Sequence, residues 1–499
     1  MFLLLFSLCF KLFIVFFAFT IIYIAITQLI YIKLKFHHNS IYKNKNIKTI
    51  SFIHPFCSDC GGGEKVLWRM ITSLISYYDT QKNREQNLPK LKINIISGRK
   101  DDKQILFNKL KTRFGIDLTT QNQNHINTNK LVLEIELISM ESGYMLRPKN
   151  FLTMLLQILA QIYFAIEIIT KVYSDVYCDT TGLPFTYFIL KFLGHAKVTA
   201  YTHYPFISRD MMYQVQMNKP GVHSRGNLNK NKYVKKMKLL YYNLILKIYK
   251  IMGNKCLSFA YVNSTWTYNH MKEIWDQLYK SQKLFILYPP CSISLYKEAA
   301  KNEDRQNIIV SFAQFRPEKN QHLQIKILSQ LKKKLSIYPE LEDLELHLIG
   351  GVRNAEDQKI FDDLNIYARQ LGVENYVKFL KNGTIEQITE EFSRAKIGIH
   401  TMIDEHFGIT LIEMMAAGLI VVTHNSAGAK NDILINEGES KPGFLVNNEN
   451  EYVAQIEEIL IRYNEIKGQM ISCSTQRAEK FSDEAFKEKF LIRLREFLI

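Results

Sequence analysis

From Thr49 onward, short runs of β-branched and aliphatic residues alternate with helix-length amphipathic stretches. That alternation limits the chain to parallel α/β layers, because parallel neighbours need a crossover long enough to hold a helix. In the first half, Thr49–Ile53, Lys92–Ile96 and Lys197–Tyr201 read as strands. The second half is more regular, with Ile308–Phe312, Glu345–Ile349, Ile397–His400 and Leu419–Thr423 spaced by helix-length segments. The polar stretch Lys297–Gln306 between the halves reads as an interdomain linker. A chain of 499 residues is too long for one ordinary core. Two doubly wound domains facing a cleft are expected, with ligands beyond the carboxyl ends of the strands and beside helix N-termini.

The N-terminus has a different character. Phe2 to Ile32 is apolar apart from Lys11 and a few uncharged polar residues. Leu12 to Ile32 as a helix would cover ~30 Å, the thickness of a bilayer core. A cleaved signal peptide would have a shorter apolar region ending in small residues. Here the run ends Gln28-Leu-Ile-Tyr-Ile-Lys33, so a retained transmembrane anchor over residues 1–33 is expected. Lys33, Lys35, Lys43, Lys45 and Lys48 follow it, before the first acidic residue, Asp59. Positive flanks stay cytosolic, which places the catalytic mass on that side. The sequons at Asn263 and Asn382 are then expected to carry no glycan. A second apolar stretch, Phe151–Thr170, reads as a buried or membrane-contacting helix. A true span there would put the two halves on opposite sides of the membrane.

The net charge of +16 calls for an anionic partner. Nucleic acid is disfavoured: no zinc-finger, helix-turn-helix or aromatic RNA-binding signature occurs, and the lysines are dispersed. A membrane surface or a phosphorylated substrate remains. The seven cysteines are scattered without framework spacing, as in a reducing compartment, which argues against a secreted disulfide-bonded protein. Cys57-x-x-Cys60 lacks a second ligand pair at zinc spacing, and no metal site is expected.

Three segments carry chemistry. His54–Trp68 contains a strand end, the turn Gly61-Gly62-Gly63 and a helix start, where backbone amides can approach an anion. It is not a P-loop, since GxxxxGK[ST] is absent. Ser311–Asn320 puts Arg316 and Lys319 at the end of a strand, a pairing suited to a diphosphate. His400–Gly418 places Glu405 in a loop and Glu413, eight positions on, inside the next helix. Carboxylates are good acceptors for sugar and ribose hydroxyls. A glutamate within Leu411-Ile-Glu-Met-Met-Ala-Ala417 is expensive to bury without a partner.

These residues resemble the retaining glycosyltransferases of the GT-B fold. Glu405-x7-Glu413, the Arg316/Lys319 turn and the Gly61–Gly63 loop carry the resemblance. The segments His54–Trp68, Thr202–Met211, Val262–Thr267, Leu287–Cys291, Gln314–Asn320, Leu348–Asn354 and His400–Ala429 look like one branch. It is the eukaryotic endoplasmic-reticulum α-1,2-mannosyltransferases that elongate the dolichol-linked N-glycan precursor. Gln314 stands where the wider family has its phosphate-binding arginine, with Arg316 as the branch's substitute. Cys60 stands where a further glycine is usual.

The resemblance implies two Rossmann-like domains after the anchor. Residues 47–295 would hold the acceptor and residues 307–480 the donor GDP-mannose, while a helix over 481–499 would pack back on the first domain. It also implies roles. Arg316 and Lys319, with the amides of Gly61, Gly62, Gly63, Phe407, Gly408, Ile409 and Thr410, would bind the donor diphosphate. Glu413 would hold the ribose and Glu405 the mannose hydroxyls, with His203 contacting the transferred sugar or acceptor hydroxyl. His54, Tyr204 and Asp210 would lie on the acceptor side. The acceptor would be the dolichol-diphosphate Man3GlcNAc2 oligosaccharide at the endoplasmic-reticulum membrane. The donor is a substrate, so no cofactor is implied, and the reaction would be independent of metal. A complex with other mannosyltransferases of the same pathway is expected. The rival readings are a neighbouring mannosyltransferase of the superfamily and a non-catalytic membrane scaffold. The intact Glu405, Glu413, Arg316 and Lys319 disfavour the scaffold.

Overall fold

The computed structural model describes residues 25–40, 47–59, 61–81, 89–118, 132–147, 153–217, 232–436 and 441–498. The first sheet contains β1 (Ile47–Ile53), β2 (Lys90–Ser97), β3 (Val132–Ser139), β4 (Val176–Asp179), β5 (Lys197–Thr202), β6 (Phe259–Val262) and β7 (Leu284–Ile286). Their order is β3-β2-β1-β4-β5-β6-β7, and every pairing is parallel. The second contains β8 (Gln306–Phe312), β9 (Glu345–Gly350), β10 (Val377–Lys381), β11 (Ala395–His400), β12 (Ile420–His424) and β13 (Phe444–Val446). Its order is β10-β9-β8-β11-β12-β13, again parallel throughout. Both orders reverse beside the first strand of the sheet. Such a switch point opens a crevice at the carboxyl ends of the strands.

The helices that matter to the site are α1 (Gly62–Gln81), α2 (Thr153–Lys171), α3 (Lys232–Cys256), α4 (Thr265–Ile274), α5 (Ile409–Ala416), α6 (Tyr463–Glu479) and α7 (Asp483–Leu498). Helix α7 crosses back to the first domain. Phe486, Phe490 and Leu494 enter the core built by β1, β2 and α1, and Arg69 of α1 pairs with Asp483 at 2.8 Å. The chain passes between domains at two adjacent places, tied together where the Cys291 amide donates to the Phe481 carbonyl at 3.0 Å.

The expected linker is not a solvated tether. Arg305 within it is buried and donates to the carbonyls of Ala299, Phe392, Ala395 and Ala417, so its charge is met by carbonyls of the second domain. Most of the expected anchor lies outside the described residues. Its last part belongs to a helix over residues 25–40 that lies against the first domain. Gln28 donates to the Leu193 carbonyl at 3.0 Å, and the buried Tyr31 hydroxyl donates to the Gly194 carbonyl. His38 rests on Tyr173 with ring centres 4.4 Å apart.

Of the apolar stretch Phe151–Thr170, the described part from Thr153 onward lies in α2. One face, with Ala160, Phe164, Ala165, Ile168 and Ile169, is buried on the first sheet. The opposite face exposes Leu155, Leu159, Ile162 and Tyr163. Among the described helices it alone is long and apolar enough to cross a membrane. Its one acidic residue, Glu167, is satisfied by the amides of Glu141 and Ser142 at 2.8 and 2.9 Å and by Lys171 of the same helix at 2.7 Å.

Candidate active site

The Gly61 turn begins where β1 ends. Glu64 folds back to accept the Gly61 amide at 2.7 Å and meets His54 Nε2 at 3.3 Å. This side-chain-to-amide bond is half of a capping box and steadies the start of α1. It also occupies the Gly61 amide, one of the donors expected for the diphosphate. Gly62 and Gly63 lie in the first turn, where amides lack intrahelical acceptors. Space there is close: a Cβ on Gly62 would sit 3.2 Å from Ile409 Cδ1, and one on Gly63 3.4 Å from His203 Nε2, an ordinary contact. The turn therefore abuts both His203 and the first residue of α5 across the domain boundary.

His54 and His203 share Thr180. The threonine hydroxyl meets His54 Nδ1 at 2.8 Å, and its carbonyl accepts from His203 Nε2 at 3.2 Å. A carbonyl can only accept, so His203 carries its proton on Nε2, leaving Nδ1 as an acceptor. Burial, reinforced by the neighbouring His54, lowers the His203 pKa to about 4. Burial would raise the Glu64 pKa, but its bond to His54 leads the opposing effects and lowers it to about 2.

In the second domain, Lys319 Nζ lies 2.5 Å from Glu405 Oε2, which His400 Nε2 also meets at 3.1 Å. Burial alone would raise the Glu405 pKa. The Lys319 charge and the His400 contact outweigh it and hold the carboxyl far below its usual range. The loop is set from several sides. Thr401 donates to the Lys319 and Asn320 carbonyls at 3.0 Å, and the Gly428 amide donates to the Glu405 carbonyl at 2.9 Å. Gly408, at φ 110°, makes the turn into α5 that side chains rarely adopt.

Glu413, one turn into α5, is buried and pairs with Lys65 of α1 at 2.9 Å. Burial would lower the Lys65 pKa, but the Glu413 carboxylate more than offsets it and raises it. The expensive burial foreseen for Glu413 thus has a partner, supplied by the other domain.

The remaining residues sort themselves by place. Arg316 faces Glu318 at 3.6 Å and Asp357 at 3.9 Å, not either carboxylate of the Glu405/Glu413 pair. Phe407 is buried and stacks on Tyr288 with centroids 5.5 Å apart, so its side chain serves the core. Ile409 and Thr410 are half-buried at the start of α5. Tyr204 stacks on His406 at 4.4 Å, and Trp266 lies 5.0 Å from the same ring, forming an aromatic bridge between the domains. Asp210 belongs to the helix Arg209–Gln216, but its side chain lies outside the described part of the structure. Cys57 is buried and Cys60 lies outside the described residues. Among the described residues, no group of three or more His, Cys, Asp or Glu side chains is disposed to hold a metal ion.

Sequence reasoning gave no role to Lys65, Thr180, His400 or His406. Lys65 carried a signal, since it precedes the apolar Val66-Leu-Trp68 much as Glu413 interrupts its own apolar run.

Comparison with known proteins follows this geometry. Residues 47–275 match the family described as ALG11 mannosyltransferase N-terminus, and residues 293–472 match Glycosyl transferases group 1. The chain is 34% identical over 449 residues to the GDP-Man:Man(3)GlcNAc(2)-PP-Dol alpha-1,2-mannosyltransferase of Dictyostelium discoideum, covering 89% of this chain and 83% of that protein. The Homo sapiens protein of the same name is 33% identical, with coverages of 90% and 86%. Among solved structures, sucrose-phosphate synthase from Thermosynechococcus elongatus superposes with a TM-score of 0.61 at 12% identity, covering 90% of this chain and 99% of that one. Anabaena Alr3699/HepE in complex with UDP gives 0.58 at 16%, covering 90% and 100%. These structural likenesses establish the two-sheet GT-B-like glycosyltransferase fold. On the sequence relatives, the chain belongs to the family of GDP-Man:Man(3)GlcNAc(2)-PP-Dol alpha-1,2-mannosyltransferases.

Proposed function

We propose that this protein transfers mannose from GDP-mannose, in α-1,2 linkage and with retention, to dolichol-diphosphate-linked Man3GlcNAc2, adding its fourth and fifth mannoses. The observation that carries the reading is Glu405 with its Lys319 and His400 partners, set just before α5, whose first residue, Ile409, abuts Gly62 of the glycine turn. In this reading Lys319 leaves Glu405 for the donor diphosphate, and Glu405 then accepts the mannose hydroxyls. The free amides of α5 and of Gly62–Gly63 add partial positive charge where the leaving diphosphate develops its own. The departing phosphate oxygen takes the acceptor proton on the same face, so catalysis is orientation and leaving-group stabilisation. The cations and helix ends supply the charge, and the reaction is metal-independent.

The acceptor's lipid requires a membrane, and the reading places the enzyme on the cytosolic face of the endoplasmic reticulum with a single N-terminal anchor. Two observations support a membrane-contacting first domain. The exposed faces of the helix over 25–40, α2 and α3 carry Leu29, Leu159, Met237, Leu240 and Leu244, and Phe188 and Phe192 lie beside them. Lysines 235, 236, 238 and 247 interleave with the apolar residues of α3, as suits an anionic surface.

The test is transfer from radiolabelled GDP-mannose to phytanyl-diphosphate Man3GlcNAc2 in the presence of chelator, with wild type beside Glu405→Ala. α-1,2-extended product from wild type alone supports donor, acceptor and metal independence together. GDP binding without product would move the assignment to another acceptor or to a scaffold.

A further inference from the structure

The ion pair between Lys65 and Glu413 does not follow from stability alone. Both side chains are less than a tenth exposed, at 8% and 9%, and they come from different domains. A buried pair of this kind is often no more stable than apolar residues of the same volume. Each partner stands one turn into its helix, and the two helices meet at their starts, where Gly62 lies against Ile409. The surroundings add charge around the pair. Asp483 acts on Lys65 from the second chain crossing, and Arg69 pairs with Asp483 at 2.8 Å. Glu413 is therefore held by one contact on Oε1, made by a cation that cannot wander.

We infer that Lys65 is a positioning residue for the donor's ribose: it takes Glu413 Oε1 from across the domain boundary and aims Oε2 at the ribose hydroxyls. The inference rests on the reading that Glu413 binds the nucleotide ribose. Without Lys65, a carboxylate buried in α5 would turn toward another donor or neutralise. Because Lys65 belongs to the first domain, the ribose grip is complete only when the domains approach. Donor affinity and domain closure are thereby coupled.

The experiment compares equilibrium binding of GDP and 2′,3′-dideoxy-GDP to the full chain as wild type, Lys65→Met, Lys65→Gln and Lys65→Arg. Wild type is expected to prefer GDP by about 10- to 100-fold, the range of one charge-assisted hydrogen bond. Lys65→Met and Lys65→Gln are expected to bring the two nucleotides close to parity while leaving dideoxy-GDP affinity near the wild-type value. Lys65→Arg restores the preference. Should Lys65→Met fail to fold, Lys65→Gln, which is shorter and uncharged and so cannot make the ion pair with Glu413, carries the comparison. Equal weakening of both nucleotides, with the preference intact, means a structural lysine and overturns the inference while sparing the function. Wild type that binds GDP without any ribose preference, or does not bind it, overturns the reading of Glu413 as well.

Discussion

The amide of Thr265 donates to both carboxylate oxygens of Asp432, at 3.0 and 3.1 Å, so the start of α4, whose N-cap is Ser264, is also held by a side chain of the second domain. Tyr288 adds its hydroxyl to the same carboxylate at 3.0 Å, and Asp432 is fully buried. Burial pushes the Asp432 pKa up despite these donors. Loss of this hold on α4 and of a buried acceptor together should destabilise by about 1–3 kcal/mol. Urea unfolding of Asp432→Ala should show that loss with nucleotide binding weakened no further than domain loosening requires. A variant as stable as wild type would mean the cross-domain contact is incidental.

Lys319 and Glu405 should separate binding from turnover. Lys319→Ala removes the cation proposed for the diphosphate and should weaken GDP binding by roughly 10- to 100-fold, the worth of a charged contact. Glu405→Gln should bind GDP nearly as wild type and lose mannose transfer, since its hydroxyl contacts are made to the sugar. Isothermal titration with GDP, beside the transfer assay, reads both. Retained turnover in Glu405→Gln would remove this carboxylate from the chemistry.

Acid should destabilise the protein in two stages. The folded His203 pKa is about 4 against an ordinary 6.5, so the unfolded chain binds more protons between those values. Its contribution is complete above the ordinary value and is lost as pH falls toward the folded one. Glu64, at about 2 against 4.5, contributes above its ordinary value and loses that contribution as pH falls toward the folded one. Unfolding free energies measured across this range should fall first through the histidine window. His203→Gln, which can still donate to Thr180, should flatten that upper part only. An unchanged slope would assign the effect to other groups.

The apolar face should hold the protein on membranes without its first segment. A chain lacking residues 1–24 is expected to sediment with anionic vesicles. Leu240→Glu with Leu244→Glu should release it, since burying each leucine is worth roughly 1.5–3 kcal/mol. Sedimentation unaffected by the double substitution would locate the contact elsewhere. Orientation has its own readout. Asn263 is buried, but Asn382 is exposed, so a glycosidase-sensitive shift in mobility would place the second domain in the lumen.

The strands with strong β-branched runs were readable because parallel strands buried on both faces are written in apolar residues. Ile308–Phe312 lies within β8 and Lys197–Tyr201 within β5. The shorter β4, β7 and β13 were not, since three or four residues give periodicity nothing to work on. Val132–Ser139 carried the alternation of a half-buried strand, Leu133-Glu-Ile-Glu-Leu137, and was overlooked; Lys92 of β2 meets Glu136 at 2.9 Å. Within the site, Glu405, Glu413 and Lys319 announced themselves by charge beside glycine and apolar runs. Lys65 could not be paired with Glu413 from sequence, because they are 348 positions apart and meet only when two domains face each other. Thr180 was hidden too, since it lies 126 positions from His54 and touches both histidines through a hydroxyl and a carbonyl that no motif records.

The crossing of α7 bears on how the chain is made. Phe486, Phe490 and Leu494 complete the core of the first domain, and the Tyr261 hydroxyl donates to the Phe490 carbonyl at 3.0 Å. Residues of α7, translated after the second domain, thus finish the first. During synthesis the second domain can close its own sheet while the first still waits for its final helix. A ribosome that stalls, or a stop codon before Asp483, would release a chain with an open apolar seam along α1, the kind of surface that chaperones and proteases recognise. Completion of the first domain therefore waits on α7, whatever order the two sheets close in.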